Sequence, residues 1–186
     1  MDVFEAIQKR LSVRSYLSNQ IPSEKLEKIL EAARLSPSSG NKQTWHFIVV
    51  TDQEKRKKLS LGRYSKFLAE SPVVLVGCGD TKASPKWYIL NTTIALQNMV
   101  LTATSEGLGT CWIGSFNENY VKKLLKIPER FKVISLIALG YPREKADLDR
   151  KILHSLRETK KLEEIISLDE FTNSYSKKKN HHKNLR

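Results

Sequence analysis

The sequence predicts a single domain that mixes helices and strands, and three observations carry that prediction. Apolar runs rich in β-branched residues alternate with segments of helical period. Two helical segments come before the first strand. No GxGxxG follows any strand into a helix. The alternation alone would suggest a parallel α/β sheet. The other two observations argue against a dinucleotide-binding βαβ fold. The nearest glycine-rich segment, Gly107-Leu108-Gly109, closes a helix and opens a strand, which is the reverse order. The segment Gly109 to Ser115 has P-loop spacing but lacks the lysine that would reach a phosphate, so the match is fortuitous.

Each element has a local reason. Asp2 can cap a first helix whose apolar positions Val3, Phe4, Ile7 and Leu11 form one stripe. Pro22 and Ser23 open a second, with Leu26, Ile29, Leu30 and Ala33 on one face, and Pro37 stops it. Trp45 to Thr51 reads as a strand. Asp52 caps a short charged helix through Leu59, and Pro72 to Gly79 is a buried strand. Tyr88 to Glu106 is a long helix with Ile94, Ala95, Met99, Val100 and Ala103 inward and Gly107 as its stop. Thr110 to Phe116 is a third strand. Asn117 begins a helix through Leu125, ahead of Pro128. Phe131 to Gly140 is a fourth strand, and a short helix follows around Leu162 to Ser167.

The 186 residues suit one domain, taken as residues 1–170, with a basic and flexible tail at 171–186. The tail supplies five of the twelve net positive charges and leaves seven for the rest. It has no motif that reads nucleic acid, so specific nucleic-acid binding is not expected. No apolar run approaches membrane-spanning length, and the N-terminal segment is amphipathic and mixed in charge. A cytoplasmic protein is expected. Cys78 and Cys111 lie in apolar segments without a CxxC, which reads as two buried free thiols and no metal site.

Three segments could carry chemistry. Arg10, Ser12 and Arg14 stand on alternate positions where the first helix runs out. On extended backbone they point the same way and can grip one phosphate, since Arg binds such oxygens in a forked, charge-assisted geometry. A solvated basic helix end reads the same residues equally well. Ser36 to Gln43 joins a helix to a strand and offers Ser38, Ser39, Asn41 and Gln43 for hydrogen bonding, with Gly40 permitting close backbone approach. An ordinary Ser/Asn/Gly turn has the same composition. Arg143 and Arg150 belong to a run of cations after Gly140-Tyr141-Pro142. His46 reads as a packed strand residue rather than an acid, and His154, His181 and His182 lack metal-ligand spacing.

Taken together, RLSVRSY, ARLSPSSGNKQTWHFIVV, EGLGTCWIGSF and IALGYPRE, in that order, resemble the nitroreductase family of FMN-binding enzymes. The resemblance spans roughly residues 2–170. It implies an α+β fold, with a mixed central sheet of four to five strands flanked by helices, and a homodimer with FMN at the interface. Carried over by position, Arg10 and Ser12 hold the phosphate end. Arg14 lies near the pyrimidine side of the ring, where a cation stabilises the charge that reduction places there. Ser38, Ser39, Asn41 and Gln43 approach FMN, often from the partner subunit. Ile113, Gly114 and Ser115 pass one face of the ring by their backbone. Arg150 matches a late phosphate-binding cation, with Arg143 as the alternative.

Two departures stand out: Thr44 where the family often has Pro, and Asn91 where Asp is common. The stretches Leu59 to Ser71 and Asp80 to Lys86 are short, so little is left to form a lid. The function implied is an oxidoreductase in which NADH or NADPH reduces FMN and a nitroaromatic, quinone or similar small acceptor then takes the electrons from the same face, with ping-pong kinetics. A flavin carrier or redox sensor with little turnover is the alternative that the short lid regions favour.

Overall fold

The computed structural model describes residues 1–62, 64–143 and 159–173. Contacts divide the chain into Met1–Asp147 and Leu148–Arg186. The first unit holds helices α1 (Val3–Lys9), α2 (Ser23–Arg34), α3 (Gln53–Leu59), α4 (Tyr88–Ser105) and α5 (Glu118–Leu125). It also holds strands β1 (Trp45–Val50), β2 (Val73–Asp80), β3 (Gly109–Ile113) and β4 (Phe131–Gly140).

The caps are those the sequence predicts. The carboxylates of Asp2 and Asp52 accept the N–H of Glu5 and Lys55, both at 2.8 Å. Asn117 Oδ1 accepts the N–H of Tyr120 at 3.0 Å. Each satisfies a donor left open in a first turn.

The sheet runs β1-β2-β4-β3, and its three strand pairings are antiparallel. Four strands and five flanking helices make an α+β fold among the described residues. The parallel component of the expected mixed sheet is one bridge, Ser12 to Thr110, on the outer side of β3. Register fixes the two ends of the sheet. Trp45 pairs with Gly79, and Asp80 with Phe131, at one end. Gly109 pairs with Gly140, and Val73 with Leu139, at the other.

The sheet is covered on both faces. One core contains Val74, Val76, Leu136, Ala138, Val121 and Ile127. The other packs α2 and α4 through Ile29, Ala33, Leu96, Met99 and Val100 against Leu75, Ile137 and Leu139. Gly77 lets α4 approach, since a Cβ there would stand 2.6 Å from Leu96 Cδ1. Ile94, expected inward, is only half-buried, while Leu96 is buried.

The stripe Val3, Phe4 and Ile7 faces outward: Val3 is 72% and Phe4 68% exposed, and Ala6 is the residue α1 buries. No described helix is long and apolar enough to cross a membrane.

In the second unit the expected helix from Leu162 to Ser167 is a single turn, Leu162–Glu164. Ile165, Leu168 and Phe171 are exposed beside it. The tail beyond Asn173 lies outside the described residues.

Candidate functional site

The Arg10–Arg14 segment is extended and fastened to the sheet. Arg10 ends α1 with φ −60° and ψ 123°, and its N–H is accepted by Ala6 O. The N–H of Val13 donates to Thr110 O at 2.9 Å. A Cβ on Gly109 would stand 2.6 Å from Val13 Cγ2, so that glycine lets the segment lie against β3. Val13 is buried, Arg10 and Ser12 are half-buried, and Arg14 is exposed. An inward Val13 turns its alternate neighbours Ser12 and Arg14 the other way. Further along, Tyr16 is buried and its hydroxyl donates to Val13 O at 2.7 Å.

Strand β3 carries the site onward. From Thr110, beside Ser12, to Gly114 is four residues, roughly 13 Å of strand. Ile113 is buried and its carbonyl accepts the Ser135 hydroxyl at 2.9 Å, whereas Gly114 and Ser115 are exposed. No atom lies within 4 Å of where a Cβ on Gly114 would stand, so that backbone faces open space. An exposed peptide edge with a basic, hydroxyl-bearing segment one strand length away suits a flat ring joined to a phosphate.

The Ser38–Gln43 loop is tightly constrained. Ser38 Oγ accepts the N–H of Gln43 at 2.9 Å, and Gln43 Nε2 donates to Asn41 Oδ1 at 3.2 Å. Gly40, Asn41 and Gln43 have φ of 58°, 52° and 46°. Left-handed backbone at two non-glycine residues persists only where the surroundings dictate it. Beyond the loop's own hydrogen bonds, those surroundings include two residues the sequence presents only as departures. Asn91 Oδ1 accepts the N–H of Ser39 at 3.1 Å, and Asn91 Nδ2 donates to Thr44 Oγ1 at 3.2 Å. Their single sequence signal is that both depart from the same pattern; 47 residues apart, they give no sign of contact.

This loop leads into β1 at the Trp45–Gly79 end, whereas Ser12 lies beside β3 at the Gly109–Gly140 end. Six residues of β2 separate those ends, roughly 20 Å, and three strand spacings separate β1 from β3, roughly 14 Å. The Arg10–Arg14 segment and the Ser38–Gln43 loop therefore lie at opposite ends of the sheet, and Ile113, level with Leu136, Val76 and Ile48, lies between those ends.

Arg143 is tied by its N–H to Ser15 O at 3.1 Å and by Nη2 to Tyr16 O at 2.9 Å, next along the chain from Arg14. It also lines a cleft of about 600 Å³ with Arg56, Glu70, Gln20 and Gln53. Arg56 there donates to the carbonyls of Thr51, Ala69 and Ser71, and burial lowers its pKa. With its guanidinium engaged by three carbonyls, this cleft is a clamp on the turn before β2. Arg150 lies outside the described residues. His46 is exposed with its ring 5.9 Å from that of Phe131. Cys78 and Cys111 are buried and form no disulfide, and burial pushes the Cys78 thiol up to about 12, so it stays protonated. No group of three or more metal-ligating side chains occurs among the described residues.

The sequence pattern of the nitroreductase family matches residues 7–61 and 60–141, most of the chain. The chain belongs to the nitroreductase family. As a nitroreductase-family protein it is an oxidoreductase. It is 38% identical over 154 residues to an Archaeoglobus fulgidus protein whose assigned name, itself inferred, is NADH dehydrogenase/NAD(P)H nitroreductase; the match covers 78% of this chain and 88% of that one. Among solved structures, it is similar to an FMN-dependent nitroreductase from Clostridium difficile R20291, with 33% identity and a TM-score of 0.71, covering 85% of this chain and 99% of that one. It is similar also to a nitroreductase family protein from Clostridium novyi NT, with 31% identity and a TM-score of 0.74, covering 94% and 97%.

Proposed function

We propose that this chain is an NAD(P)H-dependent flavin oxidoreductase that binds FMN between two copies of itself and passes electrons to a small aromatic acceptor such as a nitroaromatic or a quinone. The observation that supports the reading is the extended Arg10–Arg14 segment lying against β3, with Ser12 beside Thr110, four residues before the exposed backbone of Gly114 and Ser115. FMN, when bound, supplies the hydride chemistry. The chain binds and orients. Arg10 and Ser12 hold the phosphate end, Ile113 to Ser115 present peptide groups along one ring face, and Arg14 puts positive charge beside the pyrimidine edge. Arg143, anchored at Ser15 and Tyr16, sits near the same segment and is the late cation for the phosphate.

Ser38, Ser39, Asn41 and Gln43 reach the cofactor from the second copy. Within one chain they lie at the other end of the sheet from Ser12, farther than one FMN extends. The exposed apolar side chains Val3, Phe4 and Ile7 on α1 and Ile89 and Leu90 at the start of α4 favour a partner covering them. Donor and acceptor then use the open face in turn, which gives ping-pong kinetics.

Purified protein should be yellow, with an absorbance band near about 450 nm from its flavin. NADH or NADPH should bleach it, and menadione should restore the colour. A colourless protein that cannot be reconstituted with FMN contradicts the reading. Colour without bleaching favours a carrier or sensor, for which the compact Ser60–Pro72 connection, folded back through buried Phe67 and Leu68, leaves no long lid.

A further inference from the structure

We infer that Asn91 is a positioning residue for the cofactor site: its carboxamide, working through the Thr44 hydroxyl, sets the Ser38–Gln43 loop in its binding conformation. The inference rests on the flavin reading above. Asn91 is 2% and Thr44 3% exposed, so neither polar group has water as a substitute partner. The carboxamide is a two-way connector. Its oxygen accepts a hydrogen bond from the Ser39 N–H, and its nitrogen donates one to Thr44 Oγ1. The two contacts bracket the loop, one at its first turn and one at its exit into β1.

The anchor itself is rigid. Asn91 lies in the first turn of α4, and its own N–H donates to Trp87 O at 2.9 Å. That end of α4 is pressed against β2: a Cβ on Gly79 would stand 2.8 Å from Tyr88 Cδ2 and 3.0 Å from Thr92 Oγ1. Thr44 is fixed from the other side, where its carbonyl accepts the N–H of Asp80 at 2.7 Å. The loop that holds Asn41 and Gln43 in left-handed conformations is thus tied at both ends to a connector held by α4 and β2, in addition to its own internal hydrogen bonds.

The chemistry makes a specific demand. A carboxylate at position 91 can still accept from Ser39 N–H, and it can accept from Thr44 if that hydroxyl turns to donate. An alkyl group at 91 can do neither. Asn91→Asp should therefore keep FMN affinity within about threefold at pH 7.5, while Asn91→Leu should lose tenfold or more. Thr44→Val should weaken binding three- to tenfold alone. It should add nothing to Asn91→Leu, and it should abolish the tolerance of Asn91→Asp.

The measurement is the dissociation constant for FMN, from quenching of flavin fluorescence on deflavinated protein, beside the melting temperature of the same apoprotein. Equal losses in Asn91→Asp and Asn91→Leu, or full additivity with Thr44→Val, overturn the inference. So does a lowered melting temperature with unchanged FMN affinity, which is what a purely structural role gives. Should Asn91→Leu fail to fold, Thr44→Val alone and combined with Asn91→Asp decides the matter. A wild-type chain that takes up no FMN defeats the flavin reading itself, a result separate from a wild type that binds FMN while the variants match it.

Discussion

At the scale of single residues, the proposed reading gives the two arginines of the first segment separable duties because their settings differ. Arg10 closes α1 and is half-buried, a position that suits a fixed contact to a phosphate. Arg14 is exposed and two residues further along. Arg10→Ala should weaken FMN retention by about 1.5–3 kcal/mol, the range for one lost charge-assisted contact. Arg14→Ala should instead lower the flavin's reduction potential, with a smaller effect on affinity. Titration with FMN and a dye-coupled potential measurement distinguish them. Equal effects on both quantities from both variants would remove the division of labour. The extended backbone of this segment was legible in the sequence because it is a local property. The Asn91–Thr44 contact was not legible, because it joins side chains brought together only when α4 packs on β2.

At the scale of elements, glycines decide how closely the site's parts approach one another. Gly109 and Gly114 bracket β3 and make opposite predictions. A methyl group on Gly109 meets Val13 at both Cγ2 and Cβ, and a Cβ atom cannot swing away as a side-chain tip can. Gly109→Ala should cost about 1–3 kcal/mol of stability by overpacking. It should also weaken FMN binding, since it pushes Ser12 and its neighbours off the sheet. Gly114→Ala meets nothing and should leave the apoprotein's stability within about 0.5 kcal/mol. Its methyl group would project into the space proposed for the ring, so FMN affinity should fall even so. Urea titration of both apoproteins, beside FMN titration, reads all four quantities.

The strands and most helices could be read from sequence because their caps and periodicities are local: Asp2, Asp52 and Asn117 each accept from the third residue on. Strand order and direction could not. Alternating helices and strands are compatible with parallel crossovers, and only the register of β2 against both β1 and β4 shows an antiparallel sheet. The outward face of α1 was not legible for the same reason. Val3, Phe4 and Ile7 have the spacing of a core face, but spacing does not say whether that face meets the chain's own sheet or another surface.

At the scale of the whole molecule, the sheet separates the two halves of the proposed site within each chain. Ser12 lies beside Thr110 at one end, and the Ser38–Gln43 loop enters β1 at the other. In the proposed reading a site built from both takes two chains, each giving its basic segment to one cofactor and its loop to the other. The exposed apolar side chains of α1 belong to this same account. Phe4→Glu combined with Ile7→Glu should halve the mass seen by sedimentation, from a dimer to one chain of 21.3 kDa, and should abolish FMN binding. A monomeric variant that keeps its flavin would show the site to be complete in one chain.

The most direct test of the shared site is complementation. Arg10→Ala and an Asn41→Ala/Gln43→Ala variant are each prepared without flavin, mixed, dissociated and allowed to reassemble at an FMN concentration that fills wild-type sites but neither variant's. If each cofactor is held by the basic segment of one chain and the loop of the other, a mixed dimer has one site carrying both lesions and one carrying none. Random pairing then restores about a quarter of all sites. If both segments of one chain serve the same cofactor, every site in the mixed dimer carries a lesion, no flavin is recovered, and the account is contradicted.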